Sequence, residues 1–165
     1  MLQQTQVKTV IPYFNNFTKK FKTLHSLSKS NEKEILKMWE GLGYYRRARN
    51  LLACSKELVN KYNSKLPNKL EELKKLPGIG DYTSNALLGL VHNKPTLALD
   101  GNVKRVFSRI LNIEVKKINF DKLIYKNKEN LFNTNRNADF VEAFMEFGAI
   151  KCKPKDPNCL TCCLN

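Results

Sequence analysis

The sequence predicts an all-α protein, and three observations lead to that fold class. Apolar residues recur at three- and four-residue steps along successive segments, which is the periodicity of a helix with one buried face. Residues that start and stop helices separate these segments by short connections. No segment alternates apolar and polar residues as a half-buried strand would. The 165 residues, 42% of them hydrophobic, suffice for one domain or two small lobes.

The first two helices are predicted before residue 44. Pro12 interrupts the first, which predicts a kink or a late start. The second begins at Asn31, with Glu34 placed as in a capping box, and it ends at Gly41 and Gly43. The apolar positions of the first helix are Val7, Val10, Ile11, Phe14 and Phe17.

The remaining helices follow the same logic. A third helix continues from Tyr44, and the pair Asn68 and Glu71 predicts the start of a fourth. Three more have helical spacing over 82–91, 103–110 and 140–147. Residues 113–136 are rich in Lys and Asn and give the least definite pattern.

The charge balance points to a polyanionic partner. Lys and Arg number 29 against 15 acidic residues, so the formal net charge is +14. A lysine-rich surface that serves only solvation is the alternative for the lysines alone. Five of the six arginines fall in two clusters, which favours binding: Arg46, Arg47, Arg49, Arg105 and Arg109.

The chain carries no signal for export or membrane insertion. No apolar run approaches the ~20 residues of a membrane helix, and the first residues lack a basic start followed by an apolar stretch. Four of the five cysteines lie within residues 152–165, where a metal or cluster is favoured over a disulfide framework. We therefore expect a reducing, intracellular compartment: the cytoplasm if the protein is bacterial, the nucleus or an organelle if it is eukaryotic.

The segment Leu76–Gly80, Leu-Pro-Gly-Ile-Gly, is a candidate phosphate-binding turn. Pro77 fixes one backbone angle, and Gly78 and Gly80 permit left-handed or crowded backbone. Amide groups at the start of the following helix can then bind a phosphate oxygen. An ordinary helix–helix turn is the alternative.

Asp100 precedes Gly101-Asn102 and a helical run, a position typical of an N-cap. Hydrogen bonds from helix N–H groups favour the charged form of such a carboxylate. An ionised carboxylate stabilises an oxocarbenium-like sugar of the kind that glycosidases form. A base removed from DNA leaves such a sugar after the nucleotide is flipped out of the duplex.

Four segments together resemble the helix-hairpin-helix DNA glycosylases, and among them the adenine DNA glycosylase (MutY) family. They are Gln3-Gln4-Thr5-Gln6, Gly41-Leu42-Gly43-Tyr44-Tyr45, the turn Leu76–Gly80 and Leu99-Asp100-Gly101-Asn102. The resemblance covers residues 1–162. It implies a helix-hairpin-helix fold within 1–165: a lobe over about 24–110, a second lobe from 1–23 plus 111–150, and a Cys-rich loop at 151–165.

The resemblance implies removal of adenine opposite 8-oxoguanine or guanine in double-stranded DNA by a monomer. Asp100 matches the catalytic aspartate and Asn102 a neighbouring active-site residue. Tyr82 stands where bifunctional relatives carry a nucleophilic lysine, which implies hydrolysis without lyase chemistry. The DNA-binding residues implied by the family or by the basic charge are Gln3, Gln4, Tyr44, Leu76, Gly78, Gly80, Lys104 and Arg105.

The cysteine spacing matches the family's [4Fe–4S] loop only in part. Cys152, Cys159 and Cys162 fit its first three ligands, and the fourth is expected about six residues after Cys162, beyond this chain. A zinc site or free thiols are the alternatives, and Cys54 fits a helical core position.

Two features of the family are expected outside the chain: a catalytic glutamate three residues before Met1, and a C-terminal domain that recognises 8-oxoguanine. We therefore expect a chain shortened at both ends. Loss of that proton donor would cost on the order of 10²–10⁴-fold in rate. A non-catalytic DNA-binding module and a thymine mismatch glycosylase stay open as alternatives.

Overall fold

The structure is a computed structural model that describes residues 1–115, 119–127, 131 and 134–164. Within these ranges the regular structure is entirely helical, which confirms the predicted all-α class. The helices are Val7–Lys20 (α1), Leu24–Ser28 (α2), Glu32–Trp39 (α3), Arg46–Lys61 (α4), Leu70–Leu73 (α5), Asp81–Leu90 (α6), Gly101–Leu111 (α7), Phe120–Lys126 (α8) and Asn137–Ile150 (α9). Among the described helices, none is long and apolar enough to span a membrane.

The chain divides into two compact units. The first comprises Met1–Pro67 and Glu71–Ile79, and the second comprises Asn68–Leu70 and Gly80–Asn165. The chain changes unit three times, and the last change, between Ile79 and Gly80, lies inside the candidate phosphate-binding turn. The units have other boundaries than the two family lobes, so the lobe assignment stays a prediction. Several residues of 113–136 lie outside the described residues.

The first unit contains α1 to α4 around one apolar core. Trp39 and Ile35 of α3 are each 1% exposed and anchor it. Asn31 caps α3 as predicted, because its side chain accepts a hydrogen bond from the Glu34 amide at 2.9 Å. The other buried members are Val10, Phe17, Leu27, Leu42, Ala48 and Leu52.

Helix α1 differs from its prediction in two ways. It begins at Val7 and continues through Pro12, so the late start is wrong. Of its five apolar positions only Val10 and Phe17 are buried. The exposed positions, Val7, Ile11 and Phe14, form an apolar face on α1.

The second unit packs α9 against α6 and α7. Its core collects buried residues from the segment before α7, from α7 itself and from α8: Leu97, Leu99, Val103, Phe107, Phe120 and Ile124. Phe107 of α7 and Phe144 of α9 stack with ring centroids 4.8 Å apart. This packing fixes α7, which carries Asp100 at its N-terminus.

Candidate nucleic-acid interface and active site

Asp100 is the N-cap of α7. Its backbone is extended, and its Oδ1 accepts a hydrogen bond from the Val103 amide at 2.7 Å. The N-cap that the sequence predicted is therefore present, and it contributes about 1 kcal/mol to stability. Val103 and Val106 of α7 are buried and anchor the helix in the core, so the carboxylate at its N-terminus has a fixed position.

Tyr82, near the start of α6, lies close to this carboxylate. Its side chain is 38% exposed, and its partial burial together with the nearby Asp100 charge raises the pKa of the phenol. The structure thus brings together two of the three residues predicted to be catalytic. A neutral phenol beside a carboxylate can donate a hydrogen bond, and it cannot form a Schiff base.

Asn102, the third of these residues, belongs to a hydrogen-bonded network centred on Arg105. The Arg105 guanidinium donates to Asn102 Oδ1 at 3.0 Å, to the Gly148 carbonyl at 2.6 Å and to the Cys152 carbonyl at 2.9 Å. Gly148 allows this approach, because a Cβ there would lie 2.8 Å from the Asn102 Cβ. Arg105 therefore joins α7 to the end of α9.

The predicted DNA-binding residues Lys104 and Arg105 both have partners within the second unit. Lys104 forms an ion pair with Asp121 at 2.7 Å, and Arg105 donates hydrogen bonds to the carbonyl groups of Gly148 and Cys152. A phosphate would have to compete with these partners. Their role in DNA binding stays a prediction.

The two glycines of the turn differ. Gly78 has φ +78°, and a Cβ there would lie 2.7 Å from the Asn50 Cβ, so this position requires glycine. Gly80 is extended, at φ −96°, and nothing lies within 4 Å of the place of its Cβ. Leu76 is buried, so its side chain packs inside the first unit and a DNA contact there would use its backbone.

Gly80 is the N-cap of the ten-residue helix α6. Having no side chain, it supplies no side-chain hydrogen bond to the first-turn amides. Amide groups at a helix N-terminus attract anions. The geometry within the second unit is compatible with the predicted phosphate contact, which stays a prediction.

A second candidate surface lies in the first unit, where Arg47 joins two segments. Its guanidinium donates to the Met1 carbonyl at 2.6 Å and also to the Gln3 carbonyl. It donates to the carbonyls of Leu42 and Gly43, each at 3.3 Å. The N-terminal residues and the loop before α4 are therefore held by one side chain.

The Arg47 guanidinium also lies between two aromatic rings. Its Cζ is 5.6 Å from the ring centroid of Trp39 and 5.3 Å from that of Tyr44. Trp39 Nε1 donates to the Gly43 carbonyl at 3.2 Å, which attaches the loop before α4 to the buried core. We call residues 1–4 and 41–45, with Arg47, the N-terminal edge.

Two predicted DNA-contacting residues of the N-terminal edge have left-handed backbone. Gln4 has φ +56° and Tyr44 has φ +48°, conformations that cost a non-glycine residue about 1–2 kcal/mol each. Both side chains are exposed, and Tyr44 is 62% exposed. Strained backbone that displays exposed side chains is found where proteins bind ligands.

The C-terminal cysteines do not form a complete metal site among the described residues. All five cysteines are free, and no three Cys, His, Asp or Glu residues of the described part of the chain lie close enough to hold a metal ion. Arg109 donates to Cys152 Sγ at 3.2 Å and to the Lys153 carbonyl at 2.9 Å. Cys162 Sγ accepts from the Leu164 amide at 3.4 Å.

Hydrogen bonds to cysteine sulfur atoms, like these, influence the reduction potential of iron–sulfur clusters. Three thiols are nevertheless fewer than the four that clusters of this kind take, so the residues present do not complete the set.

The clustering of the arginines favoured a polyanionic partner, and of these residues only Arg105 was predicted to bind DNA. Sequence reasoning missed that Arg47, Arg105 and Arg109 bind main-chain carbonyls. The clustering marked the arginines as unusual. Their acceptors could not be predicted, because every residue has a main-chain carbonyl and no residue type identifies the ones that are bound.

Comparison with known proteins supports the resemblance. The sequence profile described as "HhH-GPD superfamily base excision DNA repair protein" matches residues 1–131. An adenine DNA glycosylase of Buchnera aphidicola (subsp. Baizongia pistaciae) is 43% identical over 98% of this chain and 46% of its own length. The human adenine DNA glycosylase is 35% identical over 98% of this chain and 30% of its own.

A solved structure of a thermostable thymine-DNA glycosylase superposes with a TM-score of 0.87 at 28% identity. The match covers 99% of this chain and 76% of that one. The chain spans less than half the length of the curated relatives named above.

Proposed function

The chain belongs to the HhH-GPD superfamily of base excision DNA repair proteins, and we propose that it removes adenine mispaired with 8-oxoguanine or guanine in double-stranded DNA. The observation that carries the proposal is the fixed Asp100 carboxylate with the Tyr82 phenol beside it. Similarity to adenine DNA glycosylases supports the choice of base.

The proposed chemistry is monofunctional hydrolysis of the N-glycosidic bond. The adenine departs with the bonding electrons, and positive charge develops on the deoxyribose. Asp100 stabilises that charge electrostatically, water adds to the sugar carbon and loses a proton to solvent, and the departing adenine takes up a proton from solvent. Tyr82 occupies the position of the lysine of bifunctional relatives, so no covalent sugar–enzyme bond is expected.

DNA binding is proposed to use both units. Gln3, Gln4 and Tyr44 of the N-terminal edge contact the duplex at the mismatch, and the start of α6 at Gly80 binds a phosphate. The net charge of +14 supports strong, salt-dependent attraction to DNA. The protein is proposed to act as a monomer inside the cell.

We propose that Cys152, Cys159 and Cys162 supply three of the ligands of a [4Fe–4S] cluster, which takes four. Thiolates are the ligands that such clusters use. No step of the hydrolysis is assigned to the cluster.

One observation favours a second candidate, a thymine mismatch glycosylase. The thymine-DNA glycosylase structure matches this chain closely in fold, with a TM-score of 0.87. Asp100 and Tyr82 could serve the release of either base, because both reactions develop the same sugar cation.

The test uses the purified chain, in excess over four duplexes that contain A opposite 8-oxoguanine, A opposite G, T opposite G, or A opposite T. Each duplex is incubated and then treated with alkali, which cleaves the strand only where a base has been lost. The Asp100→Asn variant is compared with Asp139→Asn, the same chemical change in an exposed ion pair with Arg136.

Cleavage confined to the two A mismatches, lost in Asp100→Asn and kept in Asp139→Asn, would support the proposal. Cleavage of the T-containing mismatch alone would favour the second candidate. Selective binding of A mismatches without cleavage would identify a non-catalytic binding module and contradict the proposed activity.

A further inference from the structure

We propose that Arg47 is a positioning residue for mismatch recognition, a role that rests on the proposed function. By binding four carbonyls and two rings, it holds Gln4 and Tyr44 in the left-handed conformations that present both side chains outward. The inference concerns how the N-terminal edge is prepared before DNA arrives.

The first argument is the identity of the acceptors. The Met1 and Gln3 carbonyls belong to one segment, and the Leu42 and Gly43 carbonyls belong to the other. The planar guanidinium presents donors in a fixed fork, so it can serve both segments at the same time. A point charge on a flexible stem could not fix their relative position in this way.

The second argument is the local strain. Gln4 and Tyr44 are non-glycine residues at positive φ, and each lies within one residue of a carbonyl that Arg47 binds. Without the guanidinium, both residues would relax toward ordinary backbone. The arrangement present here would then become a minority of the population.

The third argument is that Arg47 is poorly suited to stability alone. Its Nε is buried and finds no hydrogen-bond partner among the described residues. A buried donor without an acceptor costs stability. The neighbouring Arg46 is exposed, and Arg49 makes one surface ion pair, with Glu32. Only Arg47 of this cluster reaches the two exposed segments.

A quantitative expectation follows. When the binding-competent conformation is only a fraction of the population, the apparent affinity falls by that fraction. Release of part of this strain, about 1.4 kcal/mol, would reduce this fraction about tenfold. Affinity for a mismatch, which needs Gln4 and Tyr44, should therefore fall about tenfold. Affinity for paired DNA, which depends on phosphate contacts, should change only by the loss of one charge.

The experiment compares the wild-type chain, Arg47→Met, Arg47→Lys and the matched control Arg46→Met. Fluorescence anisotropy measures the dissociation constant for a labelled duplex with A opposite 8-oxoguanine and for the same duplex fully paired. Hydrogen exchange measured by mass spectrometry reports on residues 1–6 and 41–45. The single tryptophan, Trp39, reports the state of the loop by its emission.

The expected result is a mismatch preference about tenfold smaller in Arg47→Met than in Arg46→Met, with equal affinities for paired DNA. Exchange should rise in residues 1–6 and 41–45 and stay unchanged in α6, α7 and α9. Arg47→Lys keeps the charge but lacks the fork, so it should restore affinity for paired DNA without restoring the preference. If Arg47→Met does not fold, the lysine variant alone carries the comparison.

Unchanged mismatch preference in either Arg47 variant would overturn the proposal. An equal loss of affinity for both duplexes, with faster exchange throughout the chain, would also overturn it and leave Arg47 a residue of general stability. A wild-type chain with no mismatch preference would instead contradict the proposed substrate. The exchange of residues 1–6 and 41–45 would then still decide whether Arg47 holds them.

Discussion

The N-terminal edge and the start of the Cys-rich loop are both held by arginine side chains, but the segments that are held differ. In each, arginines on a helix bind main-chain carbonyls of a segment without regular structure: Arg47 of α4 in the first, Arg105 and Arg109 of α7 in the second. In the first, the held segments display exposed side chains on strained backbone. In the second, the arginines tie residues 152–154 to the helix that carries Asp100.

The difference lies in what surrounds each arginine. Arg105 contacts the end of α9, where Gly148 packs directly on Asn102. Close packing of this kind has little tolerance for change. Gly43, in the N-terminal edge, has no atom within 4 Å of the place of its Cβ. Substitution at Gly148 should therefore act mainly through stability, and substitution at Gly43, beside the exposed Tyr44, mainly through binding.

The largest effect is expected for Arg105→Ala. Removing the guanidinium leaves three acceptors of the network without their donor: Asn102 Oδ1 and the Gly148 and Cys152 carbonyls. We expect a loss of about 3 kcal/mol in the free energy of unfolding. Urea unfolding followed by circular dichroism measures it, with the exposed Arg46→Ala as control. A loss no larger than that of the control would show that the network contributes little to folding.

Glycine substitutions should sharpen the contrast between crowding and backbone strain. Gly148→Ala places a methyl group 2.8 Å from the Asn102 Cβ, so we expect a loss of about 2 kcal/mol. Gly43→Ala meets no neighbour and is strained only by φ +69°, with an expected loss of about 1 kcal/mol.

Asparagine distinguishes the two causes. It tolerates left-handed backbone, so Gly43→Asn should cost less stability than Gly43→Ala. Gly148→Asn should cost more than Gly148→Ala, because the larger side chain adds to the crowding. The reverse order at either position, measured by the same unfolding transition, would contradict this account.

Two substitutions of Asp100 should distinguish its contribution to stability from its proposed role in base excision. Asp100→Ala removes the N-cap of α7 and should cost about 1 kcal/mol. Asp100→Asn keeps a capping oxygen and should be nearly neutral for unfolding, while it abolishes the proposed excision. Equal loss of stability in both variants would show that the charge, and not the cap, holds the helix start.

The smallest effect is a difference in thiol reactivity between the units. Burial raises the pKa of Cys54 to about 11, with a smaller contribution from Glu57, so very little thiolate forms at pH 8. Cys163 is exposed and lies outside the proposed cluster ligands, so it should react first with a thiol reagent. Since the thiolate is the reactive form, the reactivity of Cys54 should increase as the pH rises toward 11. Rapid labelling of Cys54 at pH 8, read by mass spectrometry, would show that the first unit opens readily.

The fold could be predicted from the sequence where periodicity and capping coincide, as at Asn31 and Asp100. Both residues cap helices in the structure. The exposure of Val7, Ile11 and Phe14 could not be predicted, because periodicity defines an apolar face without saying what covers it. The short helices α2 and α8 are too brief for a periodic signal, although Thr23 and Ser26 form a capping box at the start of α2.

The candidate site could be predicted as residues, and only partly as geometry. The proximity of Tyr82 to Asp100 comes from the structure, because the two residues are 18 positions apart and no periodic pattern joins them. The left-handed backbone of Gln4 and Tyr44 carries no residue-type signal, because glutamine and tyrosine are not enriched there. The functional roles of all these residues stay predictions.

The apolar face of α1 has a consequence for how the protein behaves at high concentration. Val7, Ile11 and Phe14 expose apolar surface that would bring two copies together. The net charge of +14 keeps copies apart at low ionic strength, and added salt screens that repulsion within about 10 Å at 0.1 M. Colloidal stability and affinity for a polyanion should therefore decline together as salt is added, so storage in concentrated salt should favour self-association.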